Sequence, residues 1–223
     1  MIRLPSPVTA VAVLLLPGAL LAGCGHTTHA SAHPAGPATR RVVIRPVTKD
    51  GRPAAGFTVT PGKDELDCGS APGDAHASAV AVDPGIVQCF PVYLAADACW
   101  PAGTHRVLCL LDPASTTLTS LTTSGPVGQV AAVPRPYPVA LELTDRTRCR
   151  YGTGGTMPTL PGEPRLVTYY DCADGQKVWS GAESYPIDEG AATWQVELAP
   201  VSGAGGLHSA GVRTAYYVGT ATS

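Results

Sequence analysis

The chain has 223 residues, of which 14% are charged, with a formal net charge of -2 and with 25 glycines and 22 prolines. Helix interiors tolerate glycine and proline poorly, so this composition favours short strands joined by turns. No basic patch stands out, which argues against a nucleic-acid partner, because phosphate binding needs clustered cations.

The N-terminus begins Met1-Ile2-Arg3 and then runs apolar from Val8 to Leu21, "VTAVAVLLLPGALL". That stretch falls short of the roughly 20 residues a membrane-spanning helix needs, and Pro17-Gly18 would break it. A charged start, an apolar middle and small residues make a secretory signal. The segment closes on "LAGC", which resembles the lipobox of bacterial lipoproteins. The resemblance implies that residues 1–23 are a signal peptide, cut before Cys24, and that the Cys24 sulfur carries a diacylglyceryl group. Acyl chains of the palmitate type would then make the membrane a partner, at the outer face of the bacterial cytoplasmic membrane. One alternative is an ordinary cleaved signal in which Cys24 is incidental. Another is a metal site of Cys24 with His26, His29 and His33, but a lipidated sulfur is no thiolate ligand. Residues 24–39, rich in Ala, Thr, Ser and Pro, read as a flexible tether.

Residues 40–223 read as a β-rich extracytoplasmic domain. In "RRVVIRPVTKDGRPAAGFTVT" two apolar runs flank Asp50-Gly51, the signal of a hairpin or an edge strand. "IVQCFPVYL" and "HRVLCLLD" have the composition of buried strands, with the turn-rich "AADACWPAGT" between them. "TTLTSLTT" suits a further strand. The Pro-rich "VPRPYP" at 133–138 marks a boundary between two halves, about 40–132 and 139–223. Its prolines fix φ, so it is expected to cross rigidly inside one cooperative unit. In "VALELTD" the side chains of Val139, Leu141 and Leu143 share one face. "PRLVTYYDCADGQKVWS" reads as a hairpin turning at Asp174-Gly175. "TWQVEL" turns Trp194, Val196 and Leu198 inward, and "VRTAYYVGT" closes the chain as a last strand. Ten to twelve strands and no amphipathic helix result. The fold class is all-β, a sandwich- or barrel-like packing of short antiparallel strands stapled by disulfides.

Seven cysteines are an odd number. With Cys24 as lipid carrier, Cys68, Cys89, Cys99, Cys109, Cys149 and Cys172 remain, and in an oxidising compartment they read as three bridges. Pairing in order of sequence, Cys68 with Cys89, Cys99 with Cys109 and Cys149 with Cys172, is the favoured scheme. The rival joins Cys89 to Cys109 and Cys68 to Cys99. No Cys-x-x-Cys pair occurs and no histidines of the folded part stand at ligand spacing, so no metal or cofactor is expected.

Two stretches carry a further resemblance: "VQCFPVYLAADACWPAGTHRVLCLLDP" at 87–113, and "PVALELTDRTRCRYGTGG" at 138–155 with the "YYDCADGQKVWS", "IDEGAATWQVEL" and "VRTAYYVGTA" that follow. Together they are similar to a family of secreted or lipid-anchored cysteine-rich proteins of actinobacteria, mycobacteria included. The resemblance implies an extracytoplasmic domain and carries no catalytic residue across.

No Gly-x-Ser-x-Gly elbow is present. His76, His105 and His208 lie in Gly-, Ala-, Ser- and Thr-rich contexts that suit exposed loops. Asp171, Asp174, Asp188 and Glu189 show no spacing that singles out a glycosidase pair. "GTGG" at 152–155 lacks the Lys-Ser/Thr and the helix of a phosphate loop. Among the tryptophans, Trp194 sits on an alternating strand and belongs to the core. Trp100 and Trp179 stand at strand or turn ends and are the candidate ligand-binding residues. The reading is a lipid-anchored binding or interaction module of the cell envelope, for an unknown envelope ligand or protein, and it assigns no catalytic residue. The alternatives are an extracytoplasmic hydrolase with an unrecognised cleft and a purely structural envelope protein.

Overall fold

The computed structural model describes residues 37–69, 75–91, 94–152 and 158–222. The expected signal peptide, Cys24, the nearby histidines and the expected tether up to residue 36 lie outside the described residues, as do residues 153–157 of the Gly-rich stretch. The described chain is all β, with no helix. Its strands in order are β1 (Arg40–Thr48), β2 (Thr58–Leu66), β3 (His76–Ala77), β4 (Val87–Gln88), β5 (Cys99–Pro101), β6 (Arg106–Cys109) and β7 (Thr117–Thr123). The second set is β8 (Ala140–Leu143), β9 (Arg148–Tyr151), β10 (Thr159–Leu160), β11 (Glu163–Cys172), β12 (Gln176–Gly181), β13 (Trp194–Pro200) and β14 (His208–Ala221).

The second set closes on itself. β14, β13, β12, β11, β9 and β8 pair in that order, and β8 pairs back onto β14, so that six antiparallel strands make a barrel. The alternation read from "VALELTD" supplies its filling: Leu141 and Leu143 are buried, while Ala140 and Glu142 are partly exposed. Val196, Leu198, Val178 and Val212 join them in one core. The hairpin at Asp174-Gly175 forms between β11 and β12, with Gly175 at φ 84°, a left-handed turn position that favours glycine.

The first set forms a second sheet in the order β2-β7-β6-β5-β4-β3. Successive residues of β6 face opposite ways, as the pleat requires. Leu108 and its cross-strand neighbour Trp100 join the core that fills the barrel. Val107 and Cys109 join a separate core with Leu66, Val87 and Leu121, which Val127 and Val130 help to cover. The connection expected at "AADACWPAGT" contains strand β5, and among the described residues of "IVQCFPVYL" the strand is limited to Val87–Gln88.

Two pairings are not antiparallel. The turn at Asp50-Gly51 forms, with Thr48 N donating to Arg52 O at 2.8 Å and Val47 bridging Pro53. Beyond it the two runs part. β1 runs parallel to β14 on the barrel, and β2 runs parallel to β7 on the other sheet. The proposed halves are therefore interleaved through β1, and residues 34–223 form one unit. The fold also starts earlier than the tether boundary at Thr39. The Thr39 hydroxyl donates to Val212 O at 2.6 Å and accepts from Trp194 N at 2.8 Å, and Thr193 Oγ1 donates to Pro37 O.

All six cysteines of the folded part are bridged in sequence order: Cys68–Cys89, Cys99–Cys109 and Cys149–Cys172. The last two join residues that stand directly opposite in adjacent strands. Each bridge contributes about 2–4 kcal/mol by restricting the unfolded chain.

The segment 133–138 is held by tyrosines. The Tyr137 ring stacks on Tyr151 at 5.3 Å and on Tyr185 at 5.2 Å. Tyr170 donates its hydroxyl to Pro138 O, and Tyr185 donates to Pro136 O. Arg135 lies 3.6 Å above the Tyr185 ring and pairs with Glu189. Arg41 covers Tyr217 at 4.8 Å.

Burial raises the hydroxyls of Tyr151, Tyr170, Tyr185 and Tyr217 above the ordinary tyrosine value, and nearby tyrosines reinforce the shift for the first three. These groups ionise near pH 10 in the unfolded chain and at higher pH in the folded one. The unfolded state therefore loses protons first, so stability that is complete below about pH 10 declines as pH rises beyond it. Alkaline titration is expected to give a single steep transition in which tyrosinate absorbance and loss of near-ultraviolet circular dichroism coincide. Most of the tyrosinate signal appearing ahead of unfolding would contradict the buried cluster.

Candidate functional site

Where the barrel meets the second sheet, a cleft of about 730 Å³ opens. Four parts of the chain build most of it, and Gln129 adds a fifth. The first is the turn after β1. Thr48 donates its hydroxyl to Asp50 at 2.5 Å, and this bond, more than the Arg52 charge, holds the Asp50 carboxyl below the usual carboxylate range. Gly51 has φ 76°, and a Cβ there would stand 2.6 Å from Pro101 O. Only glycine allows the turn to lean on β5 this closely, and doing so sets Thr48 and Lys49 on the rim.

The second and third parts meet at an ion pair. Arg45 on β1 donates from Nη1 to Asp83 at 2.5 Å and to Thr220 O at 2.6 Å. Asp83 also accepts from Thr220 N at 2.8 Å. The pair ties β1, the 83–85 loop and the end of β14 together. It crosses the strand at Gly219, where a Cβ would lie 2.6 Å from Asp83 Oδ2 and 2.8 Å from Arg45 Nη1. Arg45 keeps 43% of its side chain exposed, so its remaining donors face water.

The fourth part is β5. Trp100 is 3% exposed and lines the cleft, yet its indole Nε1 is buried with no hydrogen-bond partner. A buried donor left unpaired costs about 1–3 kcal/mol, and native structures tolerate few of them. Gln129 and Thr222 add an amide and a hydroxyl to the walls. The cleft thus offers donors of several kinds and two cations against one carboxylate, and that carboxylate is already spent on Arg45.

Of the two tryptophans singled out in the sequence, Trp100 is at this cleft. Trp179 is corrected to a core residue: it is 1% exposed, its Nε1 donates to Ala199 O at 2.8 Å, and it packs with Leu160 and Ala199. Neither a face nor a donor is left for a ligand. Trp194 is half-buried under Arg41. The bridged cysteines all lie at other places in the fold. His76, His105 and His208 are exposed, and none of them lines the cleft. Among the described residues no three His, Cys, Asp or Glu side chains converge as metal ligands would. Arg45, Lys49, Asp83 and Gln129 were not legible as site residues, because they come from distant segments with no spacing rule. The nearest signal was Asp50-Gly51, which announced a turn but not the surface it rests on.

Gly219→Val should force apart the Arg45–Asp83 pair and the strand beneath it. Overpacking of this kind costs about 1–3 kcal/mol, to be read as a lower urea midpoint with an unchanged slope. A variant as stable as the parent would show that the close approach is not a constraint.

Compared with protein-family models, with curated proteins and with solved structures, the chain matches none.

Proposed function

We propose that this chain is a lipid-anchored binding module of the bacterial cell envelope, and that the cleft at the sheet junction takes an acidic saccharide. The observation that carries the ligand site is the unpaired Nε1 of buried Trp100 at the wall of a polar cleft. An acceptor on a ligand that displaces the wall over this atom would satisfy it. Lys49, which makes no ion pair among the described residues, and the open side of Arg45 favour a negative charge. Thr48, Thr220 and Gln129 match hydroxyl groups. Pro84 and Pro101 offer the apolar patches on which sugar C–H faces rest. The "LAGC" segment supports the anchor, and three disulfides agree with an oxidising compartment outside the cytoplasm.

Calorimetric titration of the full chain with a hexuronate, a neutral hexose and inorganic phosphate tests the ligand class. The hexuronate should bind best. Trp100→Phe keeps an aromatic ring in the core and removes the donor, so it should weaken hexuronate binding about tenfold, equivalent to ~1.4 kcal/mol, in a protein that still folds. Equal affinity in parent and variant would refute the role of Trp100.

The anchor has its own test. Cys24→Ser should abolish incorporation of labelled fatty acid and release the protein from the membrane fraction. Labelling as strong as that of the parent would refute lipidation at Cys24.

A further inference from the structure

A second cleft, of about 520 Å³, lies where β14, β8, β9 and β11 run side by side. The strand registers place Tyr216, Ala140, Arg150 and Asp171 in one row across these four strands. Arg148, two residues before Arg150 on β9, lies on the same face. Both arginines line the cleft, and neither forms an ion pair among the described residues.

Arg150 is held in place from behind. Its Nη2 donates to Ala95 O at 3.0 Å. Ala95 itself has φ 53°, a left-handed conformation that a residue with a Cβ adopts at a cost. The Cys149–Cys172 bridge fastens β9 to β11 one residue along from the row and forms part of the wall. One donor remains over: Arg150 Nε is buried and has no partner. The nearby carboxylates are engaged elsewhere. Asp171 pairs with Lys177, and Asp112 accepts from Ala114 N at 2.9 Å.

We infer that this cleft is a second binding site, for a small monocarboxylic acid with an apolar body. Two guanidinium groups on one strand face, neither held in an ion pair, match the two oxygens of a carboxylate. Ala140, Pro113 and Ala114 form an apolar wall for the rest of the molecule. Asp112 and Asp171 in the same lining repel a dianion, which selects a carboxylate over phosphate. The site is distinct from the junction cleft and shares no residue with it.

The test is titration of the full chain with benzoate, with benzamide and inorganic phosphate alongside. Benzoate should bind saturably, and neither of the others should. Arg150→Gln should weaken benzoate binding about tenfold or more. Arg150→Lys, which keeps the charge but loses the fork, should recover only part of it. Arg148→Gln, at an exposed position, provides a second readout that does not depend on the contact with Ala95, and it too should weaken binding. Trp100→Phe should leave benzoate binding unchanged, which separates this site from the junction cleft. Absence of saturable benzoate binding overturns the proposal. So does phosphate binding as tightly as benzoate, or parental affinity in both the Arg150→Gln and Arg148→Gln variants.

Discussion

The last strand, β14, is the constraint on which the other elements depend. It is 14 residues long, and both of its edges are occupied for most of that length. One edge takes β13 as far as Val212 and then β1 from Thr214. The other takes β8 through Tyr216 and then the short bridge at Ala81. Barrel closure, the docking of β1 and the attachment of the second sheet's leading segment all use backbone groups of this one strand. Two of its glycines mark where neighbours cross over it. Gly211 lies under Thr144 and Thr193, and Gly219 lies under the Arg45–Asp83 pair. Most of these contacts join residues far apart in sequence, so the closure entropy must be met before any of them forms.

The tyrosine cluster solves a different problem. A Pro-rich segment cannot be fastened by a full ladder of hydrogen bonds, because proline has no N–H. The carbonyls of Pro136 and Pro138 remain as acceptors, and the Tyr185 and Tyr170 hydroxyls reach them. Tyrosine is suited to this role, since its ring fills the core while its hydroxyl serves the backbone. The three prolines keep the segment extended, and the stacked ring of Tyr137 fixes its depth.

What was legible in the sequence was local or governed by parity. The hairpin at Asp174-Gly175, the inward faces of 139–143 and 196–198, and the sequence-order cysteine pairing all depend on neighbours within one or two strands. The partition of β1 and β2 onto different sheets was not legible. The turn between them obeys its local signal, but each strand finds a parallel partner far along the chain. Trp179 looked like a strand-end residue open to a ligand. It is buried because β12 runs on to Gly181 and Leu160 from β10 covers it. Trp100 was legible as a candidate, whereas the charges around it were not, since the junction of two sheets sets their meeting.

Thr39 gives the molecule a defined response to mechanical load. It sits at the seam where β13 hands over to β1 along β14, and its backbone N and hydroxyl, with the Thr193–Pro37 bond beside them, fasten the chain there. Tension arriving through the residues ahead of Pro37 meets this clasp before it reaches the ladder. Peeling β1 one bond at a time has to begin by opening the clasp. A pull along the strand instead loads the parallel β1–β14 bonds together, in shear, from Arg40 to Thr48. The seam at Thr39 is thus where the domain resists being drawn out along β1.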